Sequence, residues 1–216
     1  MRKVVVKNSL ADQAYELIIE KIQNRELLPG DRINIEELAK EFEVSRTPLR
    51  EAISRLAQNG FLESKHNVGP SVATYDAKKA TDLIEANTIL IEGAMRVIFK
   101  EGISEEWIYK LQQVVDNQKN AYKKGDVRAF FKNSIYFHEV LIMGCPNLKL
   151  RQLTLETQTQ LAVWVYRYQE TSEAKNLSID DHQGMVNYLK ENEQNRFFDL
   201  LKTHNERPLE YFKNIE

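Results

Sequence analysis

Three short helix signatures followed by a hairpin signature occupy the first third of the chain, and this order constrains its fold most. Ser9 and Asp12 form a helix-start pattern, and Asn34 begins a second one. Thr47-Pro48 opens the third helix, because proline suits a first turn, where its missing N–H would have no partner. Residues 61–74 carry two short β-prone runs around a turn. Three helices and a hairpin in this order predict a winged helix-turn-helix.

Long amphipathic segments without strand signals fill the chain from about Asp76 onward. Glycine and proline breaks, and the polar stretch Thr171–Ser178, divide these segments into six predicted helices that we expect to pack as an antiparallel bundle. Their predicted bounds are 78–101, 104–124, 126–144, 147–170, 179–191 and 194–213. We therefore expect a mostly α protein, with the winged helix-turn-helix (three helices plus a β-hairpin) in residues 1–75 and an all-α helical-bundle domain in residues 76–216.

Composition restricts where such a chain works and what it binds. None of its 216 residues belongs to an apolar stretch long enough to cross a bilayer, and the N-terminus lacks a secretion signal. The single cysteine, Cys145, permits no internal disulfide, which is typical of a reducing compartment. We expect a cytoplasmic protein with no membrane partner. Because the net charge is −2, any contact with DNA must come from a local basic patch.

Two arginines of the third helix can form that patch. Arg46 and Arg50 are four residues apart, so they project from one side of the helix, opposite Leu49 and Ile53. A guanidinium group can bind guanine O6 and N7 bidentately, while hydroxyls and free helix-start amides suit phosphates. An isolated arginine pair is more often a solvated face, but the surrounding helix, turn and hairpin signals favour DNA binding. The predicted DNA contacts here are Ser45, Arg46, Thr47, Arg50 and Arg55.

Three of the four histidines, His138, His182 and His204, lie in the second half, each on the apolar face of a different predicted helix. A single inward histidine is usually a hydrogen-bonded core residue. Three imidazoles that converge inside a bundle can instead form a site for a first-row divalent metal. We expect a divalent metal ion, zinc or nickel, with coordination positions left open.

The N-terminal segment resembles the GntR family of bacterial regulators. The matching motifs are Leu28-Pro-Gly-Asp-Arg32, Glu37-Leu-Ala39, Val44-Ser-Arg-Thr-Pro-Leu-Arg-Glu-Ala52, Arg55-Leu56 and Asn59-Gly-Phe-Leu62. The resemblance implies that Arg46 and Arg50 read the major groove. It also implies that His66, Asn67 and Gly69 of the wing reach the minor groove. Val68 departs from the family, in which this wing position is often basic.

The second half resembles the FCD effector domain of the FadR branch of that family. The matching motifs are Phe137-His138, Gly144-Cys-Pro-Asn147, Asp181-His182 and a final His204. In metal-binding members an acidic or amide ligand stands four residues before the first histidine. Here that position is Ser134, whose hydroxyl is a weaker ligand than a carboxylate.

The resemblance also concerns the effector. The family tends to carry an arginine four residues before a glutamate on the first helix of this domain. With Glu92 as the glutamate, that position is Thr88, so a replacement arginine is needed; Arg96, Arg151 and Arg167 are the candidates. The effector contacts that we expect are Thr88, Arg96 and Arg167.

Together these features predict a transcriptional regulator, a repressor by the family's commoner habit, that binds double-stranded operator DNA. A small-molecule effector, an organic acid, would bind at the three histidines and change operator affinity. A homodimer is expected, because one helix reads only a few base pairs.

Two alternatives stay open. The first keeps DNA binding but replaces the metal site with a metal-free apolar pocket for an acyl compound. Its lining would be aromatic and would come from Trp107, Phe130, Phe131, Tyr136, Trp164, Tyr166 and Tyr168. The second is a metal-dependent enzyme, since three histidines can hold catalytic zinc. His138-Glu139 lacks a second histidine at protease spacing, so we do not expect an enzyme.

Overall fold

A computed structural model describes most of the chain. It covers residues 9–23, 26–65, 69–74, 76–168 and 171–213, and describes the backbone alone at 23, 64–65, 162–168, 172 and 213. The chain divides into two compact units, Met1–Tyr75 and Asp76–Glu216. Within the described ranges there are nine α-helices and one two-stranded sheet, which confirms the mostly α fold.

The first unit contains the predicted three helices and hairpin. Its elements are α1 (Leu10–Gln23), α2 (Ile35–Glu41), α3 (Arg46–Gln58), β1 (Leu62–Lys65) and β2 (Gly69–Val72). Ser9 and Asp12 form a reciprocal capping box, with both backbone N–H groups bonded at 3.0 Å to the other's side chain. The Asn34 side chain accepts hydrogen bonds from the N–H groups of Glu36 and Glu37. These bonds satisfy donors at the helix starts that have no partner inside the helix.

A buried apolar face holds α3 in this unit. Leu49, Ala52, Ile53 and Leu56 are all buried, and α3 packs against α1. The hairpin strands pair antiparallel, from Leu62 opposite Val72 to Lys65 opposite Gly69. Burial of one face of α3 leaves the opposite face to solvent.

The second unit is a bundle of long helices. Its elements are α4 (Ala77–Glu101), α5 (Glu105–Lys123), α6 (Val127–Met143), α7 (Leu148–Tyr168), α8 (Ser172–Lys190) and α9 (Gln194–Lys213). The main pairings are α5 with α6, α4 with α7 and α8 with α9. Residues such as Met95, Leu111, Phe137 and Leu201 are buried in a shared apolar core. No described helix combines the length and apolar character that a membrane span requires.

One predicted boundary is wrong. We expected a break over Thr171–Ser178 and a helix from residue 179, but α8 begins at Ser172. The Thr171 hydroxyl accepts a hydrogen bond from the N–H of Ala174 at 3.1 Å and caps the helix. Ala174, Ser178 and Asp181 are buried on one side of this helix. The polar stretch lines a cavity, which is why it lacks the apolar pattern of a core helix.

Candidate functional site

The exposed face of α3 carries the predicted DNA-reading residues. Ser45, Arg46, Thr47 and Arg50 are all exposed. Arg46 Nη2 lies 2.9 Å from Glu36 Oε1, with both side chains mostly solvent-exposed, so the pair is weak and can be exchanged for a phosphate or a base. The Ser45 hydroxyl makes no helix-capping bond. Neither arginine is held inside the domain, so their guanidinium groups are accessible to a duplex.

Arg55, also predicted as a DNA contact, lies in a different environment, and its guanidinium group is paired within the domain. Its Nη1 is 2.6 Å from Asp12 Oδ1 on α1, and its guanidinium carbon lies 4.9 Å from the centre of the Tyr15 ring. The hydrogen bond from Arg55 lowers the pKa of Asp12. Arg55 therefore joins α3 to α1.

The structure describes only part of the predicted wing. His66 and Asn67 lie outside the described residues. Gly69, at the start of β2, has φ +87°, a conformation that favours glycine over residues with a side chain. A glycine here suits the tight turn of a hairpin tip.

The three predicted histidines come together inside the second unit. His138 Nε2 lies 3.3 Å from both His182 Nε2 and His204 Nε2. One potential ligand atom from each of the three residues lies within 4.8 Å of the other two. The three side chains come from α6, α8 and α9 respectively. His182 is fully buried, with its ring stacked at 4.0 Å on the ring of Phe137. The three imidazoles thus form one cluster.

Neighbouring polar groups fix two of these imidazoles. His204 Nδ1 lies 2.9 Å from Asp181 Oδ2, and Arg207 also donates to that carboxylate. His182 Nδ1 lies 2.8 Å from Gln118 Oε1, which is buried on α5. Each Nδ1 therefore carries the proton, and each Nε2 is left with a free lone pair. Metal-ligating histidines are oriented in the same way, by an acceptor on the second ring nitrogen.

Burial keeps two of the three imidazoles neutral. It lowers the pKa of His138 to about 3, and the neighbouring His204 contributes in the same direction. Burial and the other two imidazoles lower the pKa of His182 as well. Burial opposes ionisation of Asp181, but hydrogen bonds from His204 and Arg207 outweigh it and lower its pKa. His138 and His182 are therefore neutral imidazoles, the form that binds metals.

Two separations between the imidazole nitrogens fit a divalent metal. A tetrahedral ion with metal–nitrogen bonds of about 2.0–2.1 Å separates its ligand atoms by roughly 3.3–3.4 Å, close to the two Nε2 distances of 3.3 Å. Ser134, the predicted fourth ligand, is buried, with its hydroxyl 3.4 Å from that of Ser178. Both serines line the adjoining cavity, so the fourth side of the site is polar but lacks a carboxylate from α6.

The cavity beside the histidines has a volume of about 70 Å³. It is lined by His138, His204 and Asp181 and by further polar residues that the prediction did not include. The latter are Asn87, Gln158, Ser178, Asn205 and Arg207. Arg207 could have been found from its spacing, since it follows His204 by three residues and shares its face. The neutral amides give no comparable signal.

The predicted effector contacts need correction. The hydroxyl of Thr88 donates to the backbone oxygen of Ile84 at 2.8 Å, and its neighbour Asn87 lines the cavity instead. Arg96 is exposed and lies 4.6 Å above the Phe198 ring. The side chain of Arg167 lies outside the described residues. The described cavity therefore takes its arginine from Arg207 on α9 rather than from α4.

Comparisons with known proteins bear on both units. The family described as "Bacterial regulatory proteins, gntR family" matches residues 10–72, and the FCD domain matches residues 82–207. The HTH-type transcriptional regulator YdhC of Bacillus subtilis is 29% identical over 141 residues, which are 65% of this chain and 63% of that protein. The chain thus spans less than two thirds of this relative's length.

Two further relatives extend the comparison. A probable D-xylose utilization operon transcriptional repressor of Paenarthrobacter nicotinovorans is 29% identical over 168 residues, which are 74% of this chain and 72% of that protein. The solved structure of McbR/YncC from E. coli has the same fold, with a TM-score of 0.83 and 17% identity over 96% of this chain and 98% of that one. The matched families and relatives are transcriptional regulators, not enzymes. This chain belongs to the GntR family of bacterial regulatory proteins and carries an FCD domain.

Proposed function

We propose that this protein represses transcription by binding operator DNA and that a small organic acid, held at the three-histidine site, changes its operator affinity. The observation that supports this most directly is the accessibility of Arg46 and Arg50 on the exposed face of a helix whose opposite face is buried. Two arginines at i and i+4 can each bind a guanine edge in the major groove. Ser45 and Thr47 lie at the helix start, where hydroxyls and free N–H groups suit phosphate oxygens.

A homodimer belongs to this proposal. One recognition helix contacts few base pairs, and a two-fold pair of helices reads two half-sites and raises the affinity. The operator would then be palindromic.

The effector would bind in the second unit. A divalent ion would be held by the Nε2 atoms of His138, His182 and His204, and it would supply a Lewis acid that attracts a carboxylate oxygen. Asp181 keeps His204 oriented for that role, and Gln118 does the same for His182. Arg207 lines the same cavity and adds a positive charge.

The size of the cavity favours an acid over an acyl compound. A volume of about 70 Å³ holds roughly five water molecules at about 15 Å³ each. A short carboxylic acid fits that space, whereas an acyl thioester does not. The buried amides of Asn87, Gln158 and Asn205 argue in the same direction, because an acyl chain would leave them without partners.

Control of DNA binding needs a difference in effector affinity between two arrangements of the protein. An acid that binds the DNA-competent arrangement less tightly shifts the population away from it and releases the operator.

Arg50→Ala tests the DNA half, with Arg55→Ala as the matched control. We expect Arg50→Ala to abolish operator protection in a footprinting assay and to leave the helical circular dichroism unchanged, because the side chain is exposed. Arg55→Ala should retain the footprint but melt at a lower temperature, since it loses the bond to Asp12. An unchanged footprint for Arg50→Ala would contradict the assigned recognition helix.

Elemental analysis tests the metal. Protein purified without a chelating column should contain about one divalent ion per chain, and the double variant His138→Ala/His204→Ala should contain none. Circular dichroism of the variant verifies that it is folded. Metal-free wild-type protein that takes up no zinc or nickel on titration would contradict the metal site and favour a metal-free pocket.

A further inference from the structure

Buried polar atoms without hydrogen bonds concentrate in one place. Within the described part of the chain, every buried side-chain nitrogen or oxygen that has no hydrogen-bond partner belongs to a residue lining the cavity beside the histidines. These atoms are Asn87 Oδ1, His138 Nδ1, Gln158 Oε1, Gln158 Nε2 and Asn205 Nδ2. Native proteins satisfy nearly all such groups, because an unpaired buried group costs free energy. The clustering therefore points to a ligand that supplies the missing partners.

Three amide side chains from three helices provide most of these atoms. Asn87 lies on α4, Gln158 on α7 and Asn205 on α9. Asn87 is 6% exposed and Gln158 is 8% exposed, so neither can reach bulk solvent. We name Asn87, Gln158 and Asn205 the amide cluster. Packing alone does not require polar side chains at these positions, because the apolar side chains of Ile84 and Leu161 line the same cavity.

The unpaired atoms specify the chemistry of the ligand. The oxygens of Asn87 and Gln158 need hydrogen-bond donors, whereas the nitrogens of Gln158 and Asn205 need acceptors. A carboxylate offers acceptors alone, and an ammonium group offers donors alone. A hydroxyl group offers both.

We propose that the amide cluster is a second subsite that binds the hydroxyl groups of a short hydroxylated carboxylic acid. This inference rests on the proposed function, in which the histidine site takes the carboxylate of an acid effector. Roughly five waters in the cavity correspond to about 150 Å³ of liquid, which matches an acid of about three or four carbons. Acids without hydroxyls leave the oxygens of Asn87 and Gln158 unpaired and bind more weakly.

Isothermal titration of the full chain with two acids of four carbons tests the subsite. The probes are threonate, which carries three hydroxyls, and butyrate, which carries none. Wild-type protein should bind threonate at least about tenfold more tightly, because sites built to hydrogen-bond a hydroxyl reject analogues that lack it. Gln158→Leu keeps the size of the side chain and should reduce this preference to about twofold or less. Gln152→Leu, a change at an exposed glutamine of the same helix, should leave the preference unchanged.

A stability measurement separates a ligand role from a structural one. If Gln158 serves the ligand, the unliganded Gln158→Leu protein should melt about 2–4 °C higher than wild type, because an unpaired buried amide has been removed. Asn205→Leu is a second variant with the same expected loss of preference. If the Gln158→Leu protein instead melts at a lower temperature than wild type, Gln158 has a hydrogen-bond partner inside the protein. That result would overturn the proposal.

The titration also distinguishes the subsite from the proposed function. Equal affinity for the two acids, binding of neither, or an undiminished preference in both leucine variants would overturn the subsite. A clear preference for threonate that leaves the operator footprint unchanged would support the subsite and contradict the effector role. Loss of the footprint in Arg50→Ala is independent of both results.

Discussion

At the scale of single residues, the effector domain depends on holding basic side chains in their neutral form. His138 and His182 are kept neutral by burial and by the neighbouring imidazoles, and His204 is held by a carboxylate that Arg207 also contacts. The same burial that disfavours a proton on Nε2 leaves the lone pair free for a ligand. The site therefore couples stability to pH.

We expect the protein to lose stability as the pH falls from about 6.5 toward about 3. The pKa of His138 is lowered to about 3 and that of His182 is also lowered, whereas both titrate near about 6.5 in the unfolded chain. Below about pH 6.5 the unfolded chain takes up protons that the native state refuses, so the free energy of unfolding falls. Two such groups give at most about 2.7 kcal/mol per pH unit. The lowered pKa of Asp181 adds a loss in the same direction at still lower pH.

Urea unfolding of chelator-treated protein at pH 8, 7, 6 and 5 measures this dependence. His138→Gln removes one of the two titrating groups, so its slope between pH 6 and 5 should be about half that of wild type. Equal stability at pH 7 and pH 5 would show that the histidines are not buried in their neutral form.

The sequence predicted charged and titratable site residues better than neutral ones. His138, His182 and His204 were identified because three histidines on apolar helix faces are unusual, and their Nε2 atoms do meet. Asn87 and Gln158 were missed, because a single amide in a helix is typical of a solvated surface. Their burial becomes visible only when the packing of α4 and α7 against their neighbours is known.

At the scale of helices, local signals predicted the starts of most elements. The capping box at Ser9 and the Asn34 cap act within four residues, so they can be recognised without knowledge of the fold. The first half of α8 was missed for the opposite reason. Its inner face consists of small and polar residues that contact a cavity, and that cavity exists only in the folded bundle.

Two glycines of the effector domain should respond in opposite ways to alanine. At Gly144 a Cβ atom would lie 2.6 Å from the Trp107 ring, whose Nε1 donates to the backbone oxygen of Val140 at 2.7 Å. The backbone there has φ −65°, so the cost is steric, and we expect about 1–3 kcal/mol of destabilisation. At Gly93, inside α4, the new Cβ would lie 3.9 Å from Leu150, an ordinary contact, and alanine should stabilise by about 0.5–1 kcal/mol.

Chemical unfolding of the two variants measures both effects in the same domain. Opposite signs are expected, with Gly144→Ala below wild type and Gly93→Ala above it. Destabilisation by Gly93→Ala would mean that α4 and α7 approach more closely than the 3.9 Å separation allows for.

At the scale of the whole molecule, the proposed function requires two units with separate cores to influence one another. Unit Met1–Tyr75 carries the exposed arginines, and unit Asp76–Glu216 carries the histidine site. Local sequence patterns predict the content of each unit, because helix caps and apolar periodicity act over short distances. The pairing of two chains depends on complementary surfaces, which such patterns do not encode.

The proposed homodimer nevertheless makes a prediction about the operator. A dimer of this 25.2 kDa chain should bind two half-sites one helical turn apart, about 10–10.5 base pairs, or a multiple of it. Deleting one half-site should weaken binding by about 100-fold or more. Once one recognition helix is bound, the second binds its half-site as in an intramolecular reaction, and the deletion removes that gain. Inserting about five base pairs between half-sites turns them to opposite faces of the duplex and should weaken binding similarly.

Mobility-shift titration of the intact, deleted and lengthened operators measures these effects, and light scattering gives the mass of the free protein. Equal affinity for the intact and lengthened operators would mean that each recognition helix binds independently, and a two-fold regulator would then be the wrong description.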